Sequence, residues 1–378
     1  MREHNHKLQV RKGNEQYLFD RSGRFLLFVA KGHVVRRGLD HRMLDIRIPS
    51  SGGLPARRYR EIPDTEKTNF LTKAYQIAQK ALHQAEHALS DKWTPVLSLM
   101  TGAEMFRDKE RFSRTYLPVS ILPPDQYHSL VIQVAHGCSY NRCLFCDFYR
   151  DRPFHIKSPE ELQHHLAHVL DFLGKRIDDR TGIFLGDGNA LIIPTDRLLR
   201  MIHMIKSTLG EYVATSFHTF MDTFNLDYKS MDELRMLHEI GLQTVYVGFE
   251  TGADRLRQFL DKPGTSAEAV EAVTTLKMAG YRVGVILLIG AGGTSFVQEH
   301  RKETWKALLK IPFTSDDIIF LSPFYMPEHT AYHAKIDEEG LCELSDEQME
   351  QEIQIFKEKL STNTPATITM YSIKEHLY

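Results

Sequence analysis

Three of the four cysteines in this 378-residue chain fall within nine residues. Cys138, Cys143 and Cys146 are spaced C-x4-C-x2-C in the run from Gly137 to Cys146. Three thiolates on one tight loop can hold a metal. A structural zinc normally takes four protein ligands. Here Cys342 is remote in sequence and His136 is the other donor close by. A [4Fe–4S] cluster held by three cysteines instead leaves one iron open to a substrate or cofactor. Four cysteines in a chain of this length do not make a disulfide framework, and Cys342 reads as an ordinary thiol.

A cysteine loop needs a scaffold. From residue 130 the sequence alternates short apolar runs with helical segments. Strands are expected at 130–135, 183–185, 212–217, 244–249, 281–289 and 318–321. Helix starts are marked by Ser158-Pro159, Thr195, Ser230 with Glu233, and Thr265 with Glu268, and a further helix is expected at 297–310. Gly174, Gly210, Gly241 and Gly280 mark helix ends. Six strands alternating with five helices imply a parallel sheet with right-handed crossovers. The expected fold class is α/β, a partial (β/α)6 TIM-like barrel over residues 123–330. Chemistry in such folds sits at the C-terminal strand ends, and the cysteine loop directly follows the first strand.

Residues 1–60 read as a β-rich segment, with short β-forming runs around Tyr17–Phe19, Phe25–Val29 and His33–Val35. This segment carries 14 Lys+Arg against 5 Asp+Glu, although the whole chain is nearly neutral at −2. A basic face can meet phosphates, but these residues are spread out, which fits a solvated face better. Residues 49–56 read as a linker, and 61–122 as a helical connector with one helix over 65–89, punctuated by Pro95, Pro118, Pro123 and Pro124. Residues 331–378 read as a helical extension with one amphipathic helix near 337–359, and Ile353, Phe356 and Leu360 lie on one face. No run of about 18 apolar residues exists, so no membrane span is expected, and the N-terminus lacks the apolar stretch of a signal peptide.

The cysteine loop and the strand ends together resemble the radical S-adenosylmethionine (SAM) superfamily, over about residues 125–330. The resemblance is closest to the branch with Elongator catalytic subunit-like and anaerobic coproporphyrinogen oxidase-like domains. The family signature has three residues between the first two cysteines; this chain has four. By that resemblance, Cys138, Cys143 and Cys146 ligate a [4Fe–4S] cluster and Phe145 packs near the adenine of SAM. Gly186, Asp187 and Gly188 match the segment that holds the SAM amino group, with Asp187 available to its ammonium. Glu250, in Gly248 to Gly252, matches the stretch that contacts the methionine or ribose part. Leu288, Ile289 and Gly290 match the segment lining the adenine, and 322–330 the segment closing the barrel near substrate.

The resemblance implies reductive cleavage of SAM to a 5′-deoxyadenosyl radical, which abstracts hydrogen from an unidentified substrate. It implies a flavodoxin or ferredoxin as electron donor and the reducing cytoplasm as the compartment. With only Cys342 left over, a second cluster is not expected. The aromatic and arginine residues from Asp147 to Phe154 either line the pocket or pack the loop, and His218 and Tyr325 are candidate substrate contacts. Two other readings stand beside this one. One is a zinc-stabilised RNA-binding protein with a basic β unit. The other is a cluster-bearing electron-transfer scaffold without SAM turnover. Nucleic acid is a possible partner but not the favoured one.

Overall fold

In a computed structural model of the chain, the described residues are 1–49, 57–210, 215–224, 229–325 and 330–378. The linker expected at 49–56, except Pro49, the first residues of the expected third strand (212–214) and the 326–329 part of the barrel-closing segment lie outside them. The chain divides into two compact units. The first comprises Met1–Pro118, Ala167–Arg180 and Lys374–Tyr378; the second comprises Val119–Leu166 and Thr181–Ile373.

The first unit is built on an antiparallel meander whose strands pair in chain order. They are β1 Arg2–His4, β2 Lys7–Lys12, β3 Glu15–Phe19, β4 Phe25–Ala30, β5 His33–Arg37, β6 Met43–Arg47 and β7 Arg58–Glu61. Side chains alternate across the pleat, so in β2 Leu8 and Val10 are buried while Arg11 is exposed. The expected single helix is two, α1 Asp64–Leu82 and α2 His87–Ser98, with Pro95 inside the second, followed by α3 Arg107–Thr115. In α1, Leu71, Ala74, Tyr75, Ala78 and Leu82 recur at helical spacing and are buried. They share one core with Phe19, Phe25, Phe28 and Trp93.

The second unit holds a seven-stranded parallel sheet. Its elements, in chain order, begin with β8 Leu130–Gln133, the short strands β9 Ala135–His136 and β10 His155–Ile156, α4 Pro159–Leu173 (the first unit takes this helix from Ala167 on), β11 Ile183–Gly186, α5 Thr195–Leu209 and β12 Phe217–Met221. They continue with α6 Met231–Glu239, β13 Leu242–Glu250, α7 Asp254–Phe259, α8 Ser266–Met278, β14 Arg282–Ile289, α9 Val297–Leu308, β15 Ile318–Pro323, α10 Ala331–Glu338, α11 Asp346–Asn363 and β16 Thr367–Met370. The strand order is β16-β15-β14-β13-β12-β11-β8, with every pairing parallel. Each central strand is buried along nearly its whole length, as burial on both faces requires. The sheet runs from β8 to β16 without closing. The mixed α/β fold is thus the partial barrel expected from the alternation, with helices between successive strands.

Three expectations change. The third strand is Phe217–Met221, several residues later than its aromatic and β-branched content suggested. A seventh strand, β16, follows the last long helix and pairs with β15. The single amphipathic helix of the tail is α10 and α11, broken at Gly340, whose φ is +61°. Ser345 caps α11 through a reciprocal capping box with Gln348, and Met349, Ile353, Phe356 and Leu360 form its buried stripe.

Inside the sheet, aromatic rings make a layer. Phe184 packs on Phe220 at 5.0 Å and on Tyr246 at 6.0 Å, Tyr246 on Phe320 at 6.1 Å, and Phe320 on Tyr371 at 5.6 Å between centroids. The buried Tyr246 hydroxyl donates to Asp125 at 2.6 Å and accepts from Gln126 at 2.7 Å. Such a layer fills the interior and gives the cavity at the C-terminal strand ends a floor.

Candidate active site

The cysteine loop starts where β8 ends. The ribbon of β9 and β10, with His136 opposite His155, draws its two ends together. Gly137 opens the loop at φ +74°, and a Cβ there would meet the Pro153 carbonyl oxygen at 3.0 Å. Both the handedness and the space therefore require glycine.

The loop is held by its own residues. Arg150 donates from Nη2 to the Cys143 carbonyl at 3.0 Å, from Nε to the Cys146 carbonyl at 3.3 Å, and from Nη1 to the Asn141 carbonyl. Asn141 sits in the left-handed region at φ +49° and donates through Nδ2 to the Tyr149 carbonyl at 2.9 Å. That turn lies between the first two cysteines. Asparagine tolerates it better than other residues with a Cβ. The Asn141 amide also lies 3.4 Å from Cys138 Sγ.

Asp187, just after β11, anchors the loop. Its Oδ2 accepts from the Gly137 amide at 3.0 Å and lies 3.5 Å from Arg152 Nη1, and its Oδ1 accepts from Gln133 at 2.9 Å. Burial raises this carboxyl above its ordinary range, against the pull of those donors. Asp187 thus ties the start of the cysteine loop to the end of β8. Gly188 packs directly on the cysteines: a Cβ would lie 3.1 Å from the Gly137 carbonyl and 3.3 Å from Cys138 Cβ.

All three thiols line one cavity over the C-terminal strand ends. Phe145, Gly188, Glu250, Leu288 and Tyr325 line it too, whereas Gly186, Asp187, Ile289 and Gly290 stand outside its lining. Gly290 lies against Met349 and Leu344 instead. Burial pushes the Cys143 thiol up to about 11 and the Cys146 thiol up to about 12, so deprotonation calls for a metal's charge. Among the described residues no three His, Cys, Asp or Glu side chains converge as a single ion requires. Three cysteine thiols on one cavity wall are the ligands that an iron–sulfur cluster takes. The donor set fits the [4Fe–4S] group.

Glu250 ends β13 at φ +62°, where the register with β14 shifts, and its buried carboxylate meets Lys262 Nζ at 3.4 Å. Burial raises Glu250, and Lys262 and Arg257 oppose that rise. Lys262 also sits 5.9 Å from the Phe145 ring centroid. Sequence reading missed this lysine. Its one signal is a cation in the turn after the helix that follows Glu250. Arg257 ties that turn down, donating to Phe249, Pro263 and Gly264 carbonyls at 2.9, 3.0 and 2.9 Å and to the Thr223 hydroxyl at 2.8 Å. The remaining walls are mainly apolar, with Ile121, Phe148, Phe220, Phe224 and Ile286 among them.

The segment from Asp147 to Phe154 does both things expected of it. Phe148 and Tyr149 line the cavity, while Arg150 and Arg152 serve the loop. His218 is the second residue of β12, hydrogen-bonded to Ser216 at 3.2 Å, so it lies at the strand's start and away from the cavity. The strand begins later than expected, which moves His218 from its end. Cys342 is exposed.

Residues 132–311 match the family model of the Radical SAM superfamily. The chain carries a radical SAM domain. Enzymes of this superfamily use a [4Fe–4S] cluster and SAM. No curated protein sequence matches the chain. Among solved structures, the cobalamin-dependent SAM radical enzyme OxsB is 18% identical with a TM-score of 0.39, over 59% of this chain and 30% of that one. This chain thus spans less than a third of that protein's length. Coproporphyrinogen III oxidase (HemN) from Escherichia coli is 16% identical with a TM-score of 0.45, over 70% of this chain and 57% of that one. An archaeal Elp3 from Methanocaldococcus infernus is 14% identical with a TM-score of 0.43, over 64% of this chain and 56% of that one. Among the described residues no helix is long and apolar enough to cross a membrane.

Proposed function

We propose that this radical SAM enzyme cleaves SAM reductively and removes a hydrogen atom from a substrate held against the apolar walls of the cysteine-lined cavity. The observation that carries the reading is the shared lining: three thiols, Gly188, Glu250, Lys262 and Leu288 face one space. When bound, the cluster and SAM supply one electron and a 5′-deoxyadenosyl radical. Cys138, Cys143 and Cys146 hold the cluster, and Arg150 fixes the loop carbonyls between them. Phe145 and Leu288 supply apolar surface for the adenine, with Ile289 and Gly290 shaping the strand end behind it. Gly188 lets backbone approach closely, and Gly186 and Asp187 fix its position. Glu250 and Lys262 offer one acceptor and one cation to the polar part of SAM. The aromatic walls keep water from the reacting atoms.

The electron donor is of the flavodoxin or ferredoxin type, and the overall change is an oxidoreduction, a lyase reaction or a group transfer in a reducing cytoplasmic setting. Anaerobic reconstitution followed by a SAM-cleavage assay under dithionite tests the reading. Release of 5′-deoxyadenosine is expected from the intact triad and not from the Cys138→Ala, Cys143→Ala, Cys146→Ala variant. Equal release from both, or none from an iron-loaded enzyme with or without candidate apolar substrates, would overturn it.

A further inference from the structure

The first unit contains a cavity of its own, of about 330 Å³. Its lining is unbalanced in charge, with seven Lys and Arg side chains against the carboxylates of Glu104, Asp108 and Asp171. The outer cations are matched. Arg21 meets Asp178 at 2.9 Å, Arg107 meets Glu104 at 3.0 Å, and Arg111 meets Asp171 at 3.1 Å.

The inner ones share one partner. Arg24, Arg37 and Arg176 gather on the single carboxylate of Asp108: Arg24 Nε donates to it, while Arg176 Nη1 and Arg37 Nη2 stand 3.7 and 3.8 Å away. Their side chains are 3%, 2% and 9% exposed. The next carboxylate, Asp20, turns Oδ1 to the amides of Ser22 and Arg24. Among the described residues, Arg37 Nε and Nη1 and Arg176 Nη1 have no hydrogen-bond partner. Arg37 Nη2 is used by the Met105 carbonyl at 2.6 Å and by His41 Nδ1 at 2.7 Å. Buried guanidinium donors left unpaired are costly, and a native fold rarely keeps several in one place.

Arg176 Nε and Nη2 donate to the Leu173 and Phe172 carbonyls, which leaves Nη1. We propose that the cavity beside Asp108 binds a phosphate-class oxyanion, held by Nε and Nη1 of Arg37 and Nη1 of Arg176. A compact dianion with several acceptor oxygens supplies what the site lacks, and the planar fork of arginine suits its geometry. The local potential agrees. Burial with the Arg24 charge pushes Arg37 down to about 9, and burial with the Arg37 charge pushes His41 down to about 3. Met100, Met105 and Leu173 add an apolar wall. That wall has room for the carbon part of a phosphate monoester as well as for free phosphate.

The test is calorimetric titration of the full-length reconstituted enzyme, at constant ionic strength in chloride, with inorganic phosphate and separately with ribose 5-phosphate. Saturable binding of one ion per chain is expected with at least one of them. The tighter of the two identifies the source of the phosphate group. Arg176→Met and Arg37→Met should each weaken it at least tenfold, whereas Arg107→Met, on an outer paired cation, should leave it unchanged. Absence of saturable binding to the wild type overturns the proposal, as does wild-type affinity in Arg176→Met. If Arg37→Met does not fold, the wild-type and Arg176→Met titrations still decide.

Discussion

The Gly137 amide donates to the Asp187 carboxylate at 3.0 Å, which couples the first residue of the cysteine loop to the residue after β11. The same carboxylate holds Gln133, at the end of β8, and faces Arg152, at the far end of the loop. Asp187→Ala would leave the buried Gly137 amide without its acceptor, while Arg152 keeps Asp151, Ser120 and the Phe148 carbonyl. A stability loss of about 3 kcal/mol is expected from breaking such a group. Urea unfolding and iron per chain check it: both the midpoint and the iron content should fall. An unchanged iron content would mean that the loop does not depend on this anchor.

Asn141 takes the left-handed turn between Cys138 and Cys143. A β-branched residue cannot adopt its left-handed conformation cheaply and loses the bond to the Tyr149 carbonyl. Asn141→Val should cost roughly 2 kcal/mol and lower the iron retained after reconstitution. Asn141→Gly keeps the backbone and should retain most of the iron. If the valine variant holds iron as well as the glycine variant, iron retention does not depend on this turn.

The Glu250–Lys262 pair is nearly inaccessible, with side chains 9% and 7% exposed. Lys262→Met removes the counter-charge and drives Glu250 further toward its neutral form. At least a tenfold loss of SAM affinity is expected, about 1.4 kcal/mol, with partial recovery in Lys262→Arg. Anaerobic calorimetry with SAM reads this directly, and wild-type affinity in the methionine variant would remove Lys262 from the site.

Acid should destabilise the fold through its buried histidines. Burial holds His218 and His300 down at about 4, while an unfolded histidine titrates near 6.5. Between those values the unfolded chain takes up protons that the folded chain refuses. Stability is therefore full above about 6.5 and is lost as the pH falls toward 4. Each histidine contributes a loss of about 2 kcal/mol between pH 7 and pH 5. His300→Asn keeps an acceptor near the Thr251 hydroxyl, which His300 Nδ1 meets at 2.7 Å, but cannot titrate. Its urea stability should fall less steeply over that range, and a slope equal to the wild type would exclude His300 as a contributor.

Much of this was legible because buried parallel strands are written as continuous apolar runs. The runs that became β8, β11, β13, β14 and β15 stood out between helices with clear caps, and the boxes at Ser230 and Thr265 formed as read. The meander showed through only where its strands were apolar. β3, β4 and β5 were visible, while β1, β6 and β7 were hidden by charged residues that face outward or pair with one another. β16 is four residues long and only partly buried, too short to show a period. At the site, the cysteines and strand-end glycines announced themselves by type and spacing. Lys262 and the anchoring work of Asp187 and Arg150 did not, since they depend on which loop lies beside which strand end. That proximity is a product of the folded sheet and leaves no local mark in the sequence.

The unclosed sheet bears on substrate size. Among the described residues there is no backbone ladder between β16 and β8; the Tyr371 hydroxyl donates to the Leu122 carbonyl at 2.7 Å across that interval. Ile121 and Tyr371 both line the cavity there. In a fully closed barrel the strand count sets the bore, and every guest must enter from the top. Here a side chain and a loop form part of the wall. A substitution at Ile121 or Tyr371 therefore reshapes this cavity wall while every strand keeps its register.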